Sequence, residues 1–264
     1  MLIKAKFMIL ILISRFIESI KLTSKSSSKL GTYHGEEFQV IKRLYDRCHY
    51  FYNVLDIGAN NGDWAAEFLN LMPRTGSKIL AIEPIKKFYI ESQVIHDSRV
   101  TFLNCGVSLE NGTLQMAEIG NGGSAFFGEN NSRYIPSNDK YWHSVKTFTG
   151  DWLLAREKFL VDFIKIDTDG MDFMIIQSLQ ETINSLQPII QFEFSFRFAR
   201  NANYTLQENI AFLESLGYSV FVIDKYAELK AIKYPRLEVL NHQTKNFWAI
   251  PNRNKAQIMQ LLTN

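Results

Sequence analysis

The chain has 264 residues, of which 46% are hydrophobic and 21% charged. That is an ordinary globular composition, long enough for one large α/β domain or two small ones, and one domain with an N-terminal extension is the simpler reading. A formal net charge of +2 without a long run of like charges excludes the basic footprint of a nucleic-acid binder and leaves small molecules as the expected partners.

At the N-terminus, Lys4 and Lys6 precede the apolar run FMILILIS, which Arg15 and Glu18 then interrupt. The run resembles the opening of a secretory signal. It is far shorter than the roughly 20 apolar residues that span a bilayer, and no small-residue cleavage site follows it. A helix packed on the body of the protein accounts for it. Weak contact with a membrane surface through residues 1–20 is the alternative, since both roles need one apolar stripe. TSKSSSK, Thr23 to Lys29, reads as a flexible polar linker closing this extension. Helix Glu36–Arg47 then places Phe38, Ile41, Leu44 and Tyr45 on one side. It is followed by strand Asn53–Ile57, helix Asp63–Leu71 and strands Lys78–Ile82 and Val100–Leu103. Cys48 and Cys105 fit neither a metal-ligand spacing nor a disulfide framework, and read as reduced thiols of a cytoplasmic protein.

A long glycine- and asparagine-rich stretch, including GNGGSAFFGENNSRYIPSNDKYWHS, comes next and is expected to be irregular. Its aromatic residues Phe126, Phe127, Tyr134, Tyr141 and Trp142 either line a substrate pocket or pin the loop to the body. The alternation then resumes with strand Asp162–Asp167, helix Asp172–Ser185, strand Ile189–Phe194, helix Leu206–Leu216 closed by Gly217, and strands Ser219–Ile223 and Phe247–Ile250. In FEFSFRF, Phe192, Phe194, Phe196 and Phe198 alternate with Glu193, Ser195 and Arg197, so Glu193 points away from the buried side. Strands alternating with helices predict a doubly wound, mostly parallel sheet of seven strands with helices on both faces, a Rossmann-like α/β fold.

In such a sheet the ligand binds outside the carboxyl ends of the strands, and VLDIGANNGD is the first turn there. Gly58 permits a tight bend and close approach of a ligand, and Gly62 permits close packing of the next helix. A dinucleotide needs G-x-G-x-x-G so that its pyrophosphate meets bare amides. Here Asn60 stands where the second glycine should be, and the Asp56 carboxylate disfavours an anion and favours an amine. S-adenosylmethionine meets these demands, with an α-amino group, a sulfonium, a ribose diol and no phosphate. ILAIEP ends the second strand with Glu83, which can accept hydrogen bonds from both ribose hydroxyls. FLNCGVS brings Asn104 and Gly106 to the end of the third strand, a position suited to the adenine ring.

VLDIGANNGDW, ILAIEP and VDFIKIDTDGMDFMIIQSL followed by PIIQFEFS resemble the motifs of the FkbM-type family of S-adenosylmethionine-dependent methyltransferases, over roughly Asn53 to Ser195. The resemblance implies the class I methyltransferase fold over residues 31–264, behind an extension at 1–30. It also implies O-methylation of a hydroxyl on a sugar or secondary metabolite, with a small molecule or glycan as acceptor. The family's usual K-I-D-V-E-G appears here as Lys165, Ile166, Asp167, Thr168, Asp169 and Gly170, with Asp169 one methylene shorter than the usual Glu.

The sulfonium makes the methyl group electrophilic, so the enzyme must hold an acceptor oxygen in line and relieve it of its proton. Asp167 at the end of the fourth strand is the expected base or orienting group, and Lys165, two residues earlier on the same face, sets its charge. The plainer reading is a Lys165–Asp167 ion pair with Asp169 capping the helix that opens near Met171. Glu193 aligns with an acidic position of the resembling family and is placed against substrate or cofactor. His143 is a second candidate base. A divalent metal on Asp167, Asp169 and Glu193 is compatible with the sequence but not required by it. Two readings from other classes stand beside this one: a nicotinamide-dependent oxidoreductase on the same sheet, and a non-catalytic cofactor-binding protein.

Overall fold

The computed structural model describes residues 35–48, 53–71, 76–119, 124–127, 140–194, 204–224, 226–232 and 245–263. The expected N-terminal helix and linker, Tyr134, Phe196 and Phe198 lie outside them, as do the side chains of Phe126, Phe127 and Tyr141. In chain order the elements are α1 (Glu36–Cys48), β1 (Asn53–Ile57), α2 (Asp63–Leu71), β2 (Lys78–Ile82), α3 (Lys86–Ser92), β3 (Val100–Leu103), β4 (Gly106–Val107), β5 (Gly112–Ile119), β6 (Ser124–Phe127) and β7 (Lys140–Phe148). They continue with α4 (Gly150–Glu157), β8 (Phe163–Ile166), α5 (Asp172–Ser178), α6 (Gln180–Leu186), β9 (Ile189–Phe194), α7 (Leu206–Ser215), β10 (Tyr218–Ile223), β11 (Leu229–Ala231), β12 (Lys245–Pro251) and α8 (Lys255–Thr263).

The main sheet runs β11-β10-β12-β9-β8-β1-β2-β3. Strands β3, β2, β1, β8 and β9 pair in parallel, while β12 is antiparallel to both β9 and β10, and β11 is antiparallel to β10. The order reverses at β1, which has β2 on one side and β8 on the other. This is the switch point at which such sheets open a crevice. The central strands are buried on both faces, which is why NVLDI, KILAI and FIKI read as nearly continuous apolar runs. Alternate residues feed two cores. Leu55, Ile57, Leu80, Ile82, Ile164 and Ile166 pack under α4, α5, α6 and α7. Val54, Ile79, Ala81, Phe163 and Ile189 pack under α1, α2 and α8.

This is the mostly parallel, doubly wound sheet expected of a class I methyltransferase, with eight strands where seven were expected. The added strand, β11, is three residues long and reads LKA, too short and too polar to carry a strand signal of its own. The helix expected over Asp172–Ser185 is two helices that meet at Leu179, where φ −107 and ψ 13 leave the helical range. Gly217, at φ +83, follows the C-cap Leu216 and terminates α7 in the left-handed conformation that favours glycine.

The larger correction concerns the stretch between β3 and β8. It is not irregular throughout: β4, β7, β5 and β6 form a second sheet in that order, with β5 and β7 antiparallel along their length. GTLQMAEI and KYWHSVKTF mix polar and apolar residues, and their pairing partner lies across the glycine-rich segment that dominates the composition. Met116 of β5 and Val145 of β7 pack on Ile85 and Phe88, which seats this sheet against α3. No described helix is long and apolar enough to cross a membrane.

Candidate active site

The turn after β1 brings three strand ends together. Gly58 and Ala59 both donate their amide N–H to the Ile82 carbonyl at 3.0 Å, joining β1 to β2. Gly58 sits at φ +82, and a Cβ there would run into the Asp167 carbonyl oxygen beyond β8. Only glycine satisfies both demands. Gly62 at φ +88 faces the Ile95 methyl group and the Phe102 ring, contacts that a Cβ would crowd. Asn60 is also left-handed, at φ +50, and its side-chain oxygen accepts from the Asn61 amide at 2.7 Å.

Glu83 closes this corner from β2. It is 5% exposed, and its two carboxylate oxygens accept from the amides of Asn60 at 2.8 Å and Ile85 at 2.7 Å. Burial pushes its carboxyl up to about 7 even though both amides favour the charged form. Asn104 donates its amide to the carbonyls of Glu83 and Pro84, at 2.9 and 3.1 Å, so it braces the corner from outside. Gly106 lines the cavity, and Asn104 is not among the lining residues.

Asp56 and Lys165 are direct neighbours across β1 and β8. The Lys165 Nζ lies 3.2 Å from Asp56 Oδ1, 3.4 Å from Asp167 Oδ2 and 3.3 Å from the Gly58 carbonyl oxygen. Burial works against this ammonium, yet Asp56, Asp167 and Glu37 together hold it above its ordinary value. Asp56 is fully buried, which raises its own carboxyl, with Lys165 opposing the shift. Asp56 therefore faces Lys165, and it is not among the residues lining the cavity where a ligand amine was expected to meet it. Asp167, whose side chain is 50% exposed, carries the pair's charge to the cavity wall. The Trp64 ring covers Lys165 from α2, 5.7 Å from Nζ.

At the other end, Asp169 adopts φ +51 and Gly170 φ +106, a turn that carries Asp169 to the cavity. Asp tolerates the left-handed region better than most side chains, a physical reason for the shorter acid at this place. Asp169 does not cap the following helix; PLACEHOLDER Its Oδ2 accepts from Thr168 Oγ1 at 3.0 Å and from the Gly170 amide at 3.3 Å, and its Oδ1 accepts from the Glu193 amide at 3.2 Å. Burial and then the Asp167 charge push Asp172 up to about 7; burial, Asp167, Asp172 and Asp169 push Glu193 up to about 8. Glu193 stands behind this turn and is not among the lining residues. Among the described residues no group of three or more His, Cys, Asp or Glu is placed to hold a metal ion, so Asp167, Asp169 and Glu193 do not converge as ligands.

The cavity between these ends measures about 350 Å³. Its charged lining is Asp63, Glu83, Asp167 and Asp169 against Lys165 alone, and that ammonium is already shared by two carboxylates. Trp64, Ile85 and Met116 give it apolar wall, Met116 coming from the second sheet. Trp142 is exposed on β7, and neither it nor His143 lines the cavity. Sequence reasoning missed Trp64, Thr168 and Asp172. An aromatic residue one position into the helix after the turn, and an acid two positions after Gly170, were the available signals.

No curated protein matches the sequence. Among solved structures, methyltransferase FkbM from Methylobacillus flagellatus KT aligns at 14% identity and a TM-score of 0.49, over 78% of this chain and 47% of that one, so the chain spans about half of that protein's length. Precorrin-6y C5,15-methyltransferase from Geobacter metallireducens GS-15 aligns at 16% identity and a TM-score of 0.44, over 86% and 92% of the two chains. The plantazolicin methyltransferase BpumL, in complex with a triazolic desmethylPZN analog and SAH, aligns at 10% identity and 0.42, over 83% of each. The family model described as the methyltransferase FkbM domain matches residues 56–220, well over half of the chain, and the protein belongs to that family.

Proposed function

We propose that the cavity binds S-adenosylmethionine and that the protein transfers its methyl group to a hydroxyl of a small-molecule or glycan acceptor. The charge of the lining carries this reading: four carboxylates face the cavity, and the one cation there is neutralised by its own ion pairs. A pyrophosphate would meet repulsion in such a site, whereas a sulfonium and an ammonium would meet attraction. The left-handed turn Gly58–Gly62 leaves backbone rather than side chain beside the ligand, and Glu83 offers lone pairs to a ribose diol beyond those its two amides use.

When bound, S-adenosylmethionine supplies a methyl group already activated by the sulfonium. The protein has then to orient the acceptor oxygen and to accept its proton. Asp167 is suited to both, since it lines the cavity with half of its side chain exposed. Lys165 acts as a positioning residue. It holds Asp167 on one side and is itself anchored by Asp56 and the Gly58 carbonyl, so the base cannot swing away from the cofactor turn. Glu193, behind Asp167, can hold the departing proton.

Calorimetry with S-adenosylhomocysteine, together with incubation of the pure protein, methyl-labelled S-adenosylmethionine and cell extract, tests the proposal. Binding of the homocysteine product and a labelled hydroxyl-bearing product by mass spectrometry are the expected results. Affinity for a nicotinamide dinucleotide in place of the adenosyl compound would overturn it.

A further inference from the structure

The carboxylate of Asp172 lies among residues of the cavity wall without lining the cavity itself. Its two oxygens serve different elements. Oδ2 holds the Thr168 hydroxyl and the Gly170 amide of the turn after β8, and Oδ1 holds the Glu193 amide of β9. The turn it holds is a costly one, since Asp169 sits in the left-handed region at φ +51 and needs surrounding structure to keep it there. Met171, the N-cap of α5, contributes no side-chain hydrogen bond to the job.

We infer that Asp172 is a positioning residue for methyl transfer, a two-sided brace that fixes the Asp167–Gly170 turn against β9 so that Asp167 and Asp169 face the acceptor end of the cavity. The inference rests on the reading of the cavity as a methyl-transfer site. A brace for the acceptor end has a distinctive consequence. Its loss displaces the acceptor's partners while leaving the cofactor turn, which contacts Asp167 only through backbone at Gly58, with its own bonds to β2.

The test uses the full chain and its D172N variant, in which one oxygen can no longer serve both sides. Three quantities are read: hydrogen exchange at the Gly170 and Glu193 amides, affinity for S-adenosylhomocysteine, and label transfer from methyl-labelled S-adenosylmethionine to pooled cell extract. The expected result is exchange faster by about tenfold, transfer slower by about tenfold or more, and affinity within about twofold of the parent. D224N is the control. Asp224 accepts from the Tyr226 and Glu228 amides in the turn between β10 and β11, away from the cavity, so this variant loses melting temperature without losing transfer. Transfer by D172N within about twofold of the parent, or a loss of transfer matched by an equal loss of affinity, overturns the inference. A parent chain that binds S-adenosylhomocysteine but labels nothing counts against the methyl-transfer reading, and the exchange rates still decide whether the brace exists. Should D172N not fold, T168V removes one bond to the same carboxylate, with an expected loss of transfer of about threefold; unchanged transfer in T168V would then overturn it.

Discussion

At the β1–β2 end of the cavity the chain presents mainly backbone, bent through Gly58, Asn60 and Gly62 and tied to Ile82 and Glu83 by amide hydrogen bonds. At the β8–β9 end it presents side-chain charge, with Asp167 and Asp169 on the wall and Lys165, Asp172 and Glu193 behind them. The first end is shaped by steric exclusion, so its tolerance for change is set by space. The second is shaped by electrostatics and hydrogen bonding, so its tolerance is set by protonation. A methyl-transfer site needs both: a rigid seat for the cofactor and a chemically responsive wall for the acceptor.

The most severe way to break this contrast is G58A. The added methyl group meets the Asp167 carbonyl and the backbone must leave φ +82, so a loss of about 3 kcal/mol or more of unfolding free energy is expected in denaturant titration, with cofactor affinity lost as well. D167N sharpens the contrast from the other end. Label transfer should fall by about 100-fold or more while affinity for S-adenosylhomocysteine changes by no more than about threefold; near-normal transfer would remove Asp167 from the chemistry. E83Q is milder, with an expected drop in cofactor affinity of about tenfold. Because Glu83 holds its proton up to about pH 7, affinity of the parent should rise as pH passes upward through that value, and in E83Q calorimetry should find that rise gone. The smallest effect is expected from E193Q. Folded Glu193 keeps its proton to about pH 8, whereas an unperturbed glutamate releases it near 4.5, so folding takes up a proton between those values and stability declines as pH rises through them. E193Q should flatten the decline of melting temperature toward pH 8, leaving the part that Asp172 contributes up to about 7.

The same contrast separates what could be read in the sequence from what could not. Strands Asn53–Ile57, Lys78–Ile82, Val100–Leu103 and Ile189–Phe194 coincide with their expected limits because central parallel strands leave continuous apolar runs. The glycine turn was readable for a similar reason, since its function is written in residue type. β5 and β7 were not, because their pairing joins segments on either side of a glycine- and asparagine-rich stretch and neither has a strong period of its own. At the carboxylate end, sequence spacing located Lys165 and Asp167 but could not apportion partners. That Asp56 would face Lys165 rather than the cavity depends on the register of β1 against β8, a tertiary fact. The brace at Asp172 was hidden for the same reason, since its third donor comes from β9.

Lys165 and Asp56 also answer a question that the oily strands leave open. A slip of β8 by two residues along β1 would keep every aliphatic side chain on its present face, and apolar contact alone would scarcely notice. It would, however, carry a lysine away from the fully enclosed acid opposite it and strand both charges in a dry interior. The ion pair thus serves as an alignment peg, and the same lysine that steadies the acceptor wall tells the two halves of the sheet where to stop sliding.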